Sequence, residues 1–336
     1  MTTTTGALIR STDFDDLQSF LSRILGDQVT NYPNDPIAAT YGYGQTLLSG
    51  QVTSVVDEVK AVQIAKLKSD IIKVATHCGL QNDSHITNLP TINQHDIILA
   101  SHLQAYQSCL NFLSTNRFLL GSGQYSDELL SPDLSNNRVL PWGNNSSYKS
   151  AQLYGGETVR HAFTIDFRNP QAARYFFNSG SSLRLSASRT GGRVSQQNLS
   201  WTRTLNNMGT IIFDHSSCTS SNSVGSGSSI GFYQLTNNAQ TVFTMAGDST
   251  YSSHYSVNHY YVTMSCDIEN NSNGGASKIY VTIYFDDAHS SKVTHYYHKD
   301  WVDGTLTSNV SIRRASGSNV NVVAPTGFNT RILTNI

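Results

Sequence analysis

The residues of this chain best suited to chemistry are its arginines, a group of histidines and its strand-borne tyrosines. Arg174, Arg184, Arg189 and Arg193 recur in and just beyond the stretch NPQAARYFFNSGSSLRLSASRTGG, Asn169 to Gly192. Guanidinium forks can grip a phosphate or a carboxylate, whereas the same groups on the wet face of a strand only solubilise it. In SLRLSAS, Leu183 and Leu185 alternate with Arg184 and Ser186, so Arg184 points away from the core if the leucines point in. An interface role for Arg184 and Arg189 fits this pattern better than an anion site, because a planar guanidinium makes several hydrogen bonds at once across a contact.

His289, His295 and His298 lie in DDAHSSKVTHYYHKDW with Asp286 and Asp287 close by, and imidazole with carboxylate is a donor set for a transition metal. The spacing is loose: residues three apart on a strand face opposite ways, and Lys299 and Asp300 read as a wet loop. No metal and no cofactor is expected. Adjacent carboxylates on opposite faces also cannot form the facing pair of a glycosidase. Phosphate-loop, dinucleotide, H-E-x-x-H and G-x-S-x-G signatures are missing. The nearest decoy, Val224 to Ser229, is a Ser-rich loop with no helix after it, and the expectation is that the chain is not an enzyme.

Charged residues make up only 13% of the 336, with a net charge of −1, so Ser, Thr, Asn and Gly carry the surface. Such a neutral surface argues against nucleic acid as a partner, since counterion release needs concentrated Lys and Arg. Cys78, Cys109, Cys218 and Cys266 are widely spaced and read as reduced, buried small apolar residues. MTTTTGALIR lacks a charged region followed by an apolar run, and no segment approaches eighteen unbroken apolar residues. Synthesis in a cytoplasm without membrane insertion is therefore expected. The sequons at Asn144, Asn198 and Asn309 read as chance in a chain this rich in Asn, Ser and Thr.

The elements that must position these residues fall into two kinds. The first 120 residues have helical period. STDFDDLQSFLSRILG offers Ser11 or Thr12 as a cap, an apolar face through Phe14, Leu17, Leu21, Ile24 and Leu25, and Gly26 as a stop. After the Gly-punctuated loop YGYGQTLLSG, Gln51 to Cys78 predicts a helix of about seven turns with Val52, Val56, Val59, Ile64, Leu67, Ile71 and Val74 as its seam. Gln63 interrupts that seam. An intramolecular bundle is the expectation for most of it, with Val56, Val59, Leu67 and Ile71 the candidates for contact with a second copy. A third helix is predicted over Gln94 to Leu113.

From Gly121 to Ser150 the periodicity lapses, marking a linker between a helical domain (1–120) and a strand-rich one (151–336). GETVRHAFTIDF, SLRLSAS, MGTIIFD, IGFYQLT, TVFTMAG, HYYVTMSCDIE, KIYVTIYFDD and LTSNVSIRRAS each have strand length and composition. The fold class is thus α+β, a helical domain followed by an antiparallel β-sandwich. HYYVTMSCDIE and KIYVTIYFDD predict a hairpin across NNSNGGAS. In the second of these Ile279, Val281, Ile283 and Phe285 share the core face, while Tyr280, Thr282 and Tyr284 share a face covered by a neighbouring subunit or open for binding.

The run ARYFFNSGSSLRLSASRTGG, followed by QNLSWT and LNNMGTI, resembles a module of virion structural proteins of tailed bacteriophages, notably those of cyanobacterial and marine hosts. YGYGQTLLSGQV is similar to the entry to a long helix in that group, and DDAH with DGTLTS to its closing strands. Where the module has paired glycines after FFN, this chain has Ser179-Gly180-Ser181-Ser182. The resemblance implies a non-enzymatic virion part in neck or collar, tail, baseplate or fibre, made in the host cytoplasm. It implies assembly as a homo-oligomer, dimer or trimer, docked on other phage virion proteins. A receptor- or carbohydrate-binding fibre module meeting a host surface glycan is the alternative.

Overall fold

A computed structural model describes residues 10–27, 38–50, 59–130, 135–143, 158–288, 292–293, 296–297 and 301–330. The chain is α+β, with helices and antiparallel sheets in similar proportion. It gathers into two compact units. One comprises Met1–Ser126, Gln171–Ser181 and Arg314–Val323; the other comprises Asp127–Pro170, Ser182–Arg313 and Ala324–Ile336.

The first unit is built on α1 (Ser11–Leu25), α2 (Ala61–His77), the single turn α3 (Ser84–Thr87) and α4 (Ala100–Thr115). On α1 the apolar residues Phe14, Leu17, Leu21, Ile24 and Leu25 are all fully buried, as their spacing requires. α1, α2 and α4 each start where a side chain reaches back to accept the N–H of the cap residue, and at α3 the cap residue Asp83 itself accepts from His85 N. The cap of α1 is Arg10 instead of Ser11 or Thr12, because Asp13 accepts the Arg10 N–H at 2.8 Å. The described helix begins at Ala61, with Gln63 accepting the Lys60 N–H at 2.6 Å, and the predicted part from Gln51 to Glu58 lies outside the described residues. The polar break in the seam is thus the helix start. Val56 lies outside the described residues, Val59 stands half-buried before the helix, and Leu67 and Ile71 are fully buried. The third predicted helix starts late, at Ala100, leaving Leu99 as an exposed cap.

Between α1 and α2 the loop through Tyr41–Gly50 is held by hydrogen bonds to side chains that come from elsewhere in the chain. The buried Asp70 carboxylate accepts from Leu48 N and Ser49 N at 2.8 Å and from Ser49 Oγ at 2.9 Å, while Lys73 pairs with its other oxygen at 2.7 Å. Asn178 Nδ2 donates to the carbonyls of Ala39, Tyr41 and Gly42 at 2.9–3.2 Å. It ends α5 (Pro170–Asn178), a helix that the sequence presents only as an aromatic segment and that buries Ala173, Phe176 and Phe177. At the turn that follows, Gly180 has φ +78°, and a Cβ there would meet the Phe118 carbonyl. Ser179 and Ser181 bond each other at 3.0 Å, and Ser181 Oγ accepts Ala315 N at 2.9 Å.

The strands are β1 (Tyr125–Leu129), β2 (Ser135–Arg138), β3 (Thr158–Asp166), β4 (Ser182–Thr190), β5 (Ile211–Phe213), β6 (Cys218–Ser220), β7 (Gln240–Ala246), β8 (His259–Cys266), β9 (Lys278–Asp286), β10 (Lys292–Val293), β11 (Tyr296–Tyr297), β12 (Thr305–Ala315) and β13 (Thr326–Thr330). Among the described residues they form one sheet ordered β1-β12-β4-β5-β6 with β2 also on β12, a second ordered β13-β3-β9-β8-β7, and the pair β10-β11. The predicted β8–β9 hairpin is present, with Tyr261 opposite Tyr284. IGFYQLT is not a strand: Phe232–Gln234 form a 3₁₀ turn because Gly231 N bonds the Gln234 side chain and its Cα sits against the Ser216 backbone. Helix α6 (Gln196–Met208) occupies the stretch containing QNLSWT and buries Trp201, Leu205 and Met208.

In the second unit Trp142 packs edge-on against Trp201 at 5.0 Å, and both lie within 6.4 Å of Phe285. Beside them the fully buried His161 of β3 bonds Ser308 of β12 through Nδ1 at 2.8 Å. Burial, with the Arg138 charge adding to it, lowers the His161 pKa from 6.5 to about 4. In the first unit burial likewise lowers His77 to about 4, against the raising effect of its bond with the Ser179 carbonyl. All four cysteines are buried free thiols.

Both histidines are neutral when folded and take up a proton more readily when unfolded. Their stabilising contribution is therefore complete above pH 6.5 and is lost as pH falls from 6.5 towards 4, on the order of 3 kcal/mol for each ring. Urea melts across that window should show the loss, and His161→Asn should remove the part that belongs to the second unit. A second outcome concerns the loop. Asp70→Ala orphans two backbone donors and should cost the first unit about 2–3 kcal/mol in the same melts.

Candidate functional site

Three groups of polar and aromatic side chains stand out on the second unit, and two of them answer what the arginines do. The first centres on Asp303, just ahead of β12. Its Oδ1 accepts from Asn198 Nδ2 at 2.6 Å, from Arg193 N at 3.0 Å and from Arg189 Nη2 at 3.4 Å, while Oδ2 accepts from Arg193 Nε at 2.7 Å. Asn198 returns the contact by accepting Asp303 N at 3.1 Å. Gly192 has φ +74°, and a Cβ there would collide with the carboxylate, so the close approach requires glycine.

Position along the strand decides how each arginine is used. Arg189 is buried near the end of β4 and also donates to Thr202 Oγ1 at 3.2 Å and Gly191 O at 3.1 Å. Arg193 lies outside the strand, 44% exposed, with its guanidinium 3.8 Å from the centre of the Trp301 ring. Burial pushes the Arg189 pKa down and the Asp303 charge opposes this. For Asp303, burial raises the pKa, but hydrogen bonds from Arg193 and Asn198 outweigh it and leave the carboxyl below its usual range. The cluster ties the start of α6 to the start of β12 and uses its acceptor within the chain. Asn198 is fully buried here, which takes its sequon out of reach of a glycan.

The second group centres on Asp127. Arg313 grips it with both prongs, Nε to Oδ1 at 2.8 Å and Nη2 to Oδ2 at 2.7 Å, and Arg184 Nε stands 3.9 Å away. Those Arg313 bonds are the largest influence on the Asp127 carboxyl and lower its pKa. Arg184 does leave the core between the buried Leu183 and Leu185, and it meets this carboxylate on the strand's outer face.

The third group is the outer face of the five-stranded sheet. Ile279, Val281, Ile283 and Phe285 are buried, and Tyr280, Thr282 and Tyr284 face the other way, as the alternation requires. Tyr284 stacks on Tyr261 with ring centres 4.3 Å apart and planes 8° from parallel, and Arg160 lies 5.2 Å from its ring on the opposite flank. Burial raises the Tyr261 pKa, with Tyr284 adding to it. Tyr280 is 41% exposed, and Phe328 of β13, which the sequence reading passes over, is 53% exposed. The signal for Phe328 was a single aromatic in a short run near the C-terminus, too little to reveal its face.

His289, His295 and His298 lie outside the described residues. Asp286 accepts from Thr158 Oγ1 at 2.8 Å on the outer face, whereas Asp287 is fully buried and accepts from Gln197 Nε2. The two carboxylates therefore diverge. Among the described residues no three His, Cys, Asp or Glu side chains gather as a metal site would need.

The contrast between the two arginines on Asp303 is measurable. Asp303→Ala leaves Arg189 buried without its carboxylate and should lower the second unit's stability by about 2–4 kcal/mol, whereas Arg193→Ala should cost under about 1 kcal/mol because its partnerships are solvent-screened. Equal losses in paired denaturant melts would contradict the different burial of the two side chains. No protein-family model matches this chain, and neither does any curated protein or any solved structure.

Proposed function

We propose that the chain is a non-enzymatic structural component of a tailed bacteriophage particle, in tail, baseplate, neck or collar, or fibre. It assembles as a homo-oligomer, dimer or trimer, and docks on other virion proteins after synthesis in the host cytoplasm. In this reading the sheets of the second unit pack as an antiparallel β-sandwich that supplies contact surfaces, and the helices of the first unit attach the protein to the particle.

The observation that carries the reading is where the chain places its polar groups. Asp70, Asp127, Asp287 and Asp303 each accept hydrogen bonds from within the chain, and the arginines most suited to holding an anion lie on two of them. Groups placed in this way hold loops and sheet edges. What the second unit presents outward instead is a broad sheet face with exposed aromatic rings, the kind of surface that contacts macromolecules. The phage-like order of FFN, the arginine strand, NLSWT and MGTI supports the same assignment.

Two measurements test it together. Light scattering after size exclusion should give the mass of two or three copies, and peptides spanning the chain should appear in mass spectra of purified particles. A monomer that is also missing from particles would overturn the proposal.

A further inference from the structure

We infer that Phe328, Thr164 and Tyr280 form a stacking platform for an uncharged glycan on the outer face of the five-stranded sheet. The inference rests on the reading of this face as a contact surface. Register places the three side chains in one row: Phe328 is opposite Thr164, and Thr164 is opposite Tyr280, with Ser265 continuing the row on β8. Residues directly opposite in antiparallel strands share a face, so both rings stand on the same side of the sheet. They are two strands apart, a separation of about 10 Å.

The neighbours explain why these two rings are open and Tyr284 is not. Tyr284 has Arg160 on one flanking strand and Tyr261 on the other, and both large groups lie on its ring. Tyr280 has Thr164 and Ser265 at the equivalent positions, side chains too short to cover it. Among the described residues Phe328 sits on the edge strand with Thr164 opposite it, and it is 53% exposed. Each ring therefore offers a broad π-face above a floor of hydroxyls.

Charge selects the ligand class. The outward charged residues of β3 and β9 are Arg160, Asp166, Lys278 and Asp286, two of each sign. Lys278 stands 3.7 Å from Asp166, Asp286 accepts from Thr158, and Arg160 lies on Tyr284. The row between them carries rings and hydroxyls without formal charge, which complements an uncharged polyhydroxyl ligand. A pyranose turns its C–H face to the negative face of an aromatic ring, and its hydroxyls meet Ser265. A short oligosaccharide, with one sugar on each ring and one across Thr164, spans the row.

The test uses the full-length protein and the variants Tyr280→Ala, Phe328→Ala and Tyr280→Phe, with circular dichroism and thermal melts to verify folding. Cellopentaose, maltopentaose and a β-galactopentaose are titrated by saturation-transfer NMR, with sialyllactose and a heparin hexasaccharide as acidic comparators. At least one neutral oligosaccharide should bind, each alanine variant should weaken it tenfold or more, and Tyr280→Phe should stay within about threefold. Failure of all three neutral sugars, binding that survives both alanine variants, or preference for an acidic sugar would overturn the inference. So would alanine variants that dissociate an oligomer, which would make the row a contact between copies. Virion incorporation is scored separately: particles that contain a chain without glycan binding overturn the platform alone, and a glycan-binding chain missing from particles overturns the virion reading alone.

Discussion

The second unit depends on one carboxylate. Asp303 takes hydrogen bonds from Arg189, Arg193 and Asn198, groups that come from the end of β4, the following loop and the first turn of α6. A largely covered acceptor with several donors on it is worth more than an exposed ion pair, because the buried Arg189 and Asn198 would otherwise be left unsatisfied away from water. The constraint passes outward from there. It anchors the start of β12, whose register with β4 runs from Thr305↔Thr190 to Arg313↔Ser182, and the Arg313 end is held by Asp127.

A chain with so few charges has to use each of them with care, and the first unit follows the same rule. Asp70 holds the loop before α2 through backbone and hydroxyl donors, and Asn178 does the equivalent for the carbonyls of Ala39, Tyr41 and Gly42. Loops cannot be buried unless their backbone groups find partners, and here short polar side chains on neighbouring elements supply them. The richness in Ser, Asn and Thr that makes the surface neutral thus also furnishes the internal polar contacts. What faces outward on the five-stranded sheet is a row of hydroxyls and aromatic rings flanked by two charges of each sign on β3 and β9, and this is why the functional reading concerns contact and recognition.

Legibility of the fold followed local periodicity. The alternation in KIYVTIYFDD assigned Ile279 to Phe285 to the core and Tyr280 to the outside, because a pleated strand leaves no other choice once one face is apolar. The apolar face of α1 was equally clear. Helix starts were misread at Arg10, Lys60 and Leu99, since a cap is set by one hydrogen bond that periodicity does not register. The helix α6 was missed although Gln197, Trp201, Thr204, Leu205 and Met208 recur at helical spacing, because its buried face is half polar.

By itself the sequence determined the α+β class, the core faces of the long strands and the neutrality of the surface, all of which follow from residue type and near-neighbour spacing. Only the tertiary structure decided the roles of the arginines and the rings. Arg189 and Asp303 are 114 residues apart and Phe328 and Tyr280 are 48 apart, so their meeting depends on strand order and register. The same tyrosine chemistry is closed at Tyr284 and open at Tyr280 because the flanking strands place large groups beside one and small groups beside the other, and that difference does not exist until the sheet is assembled.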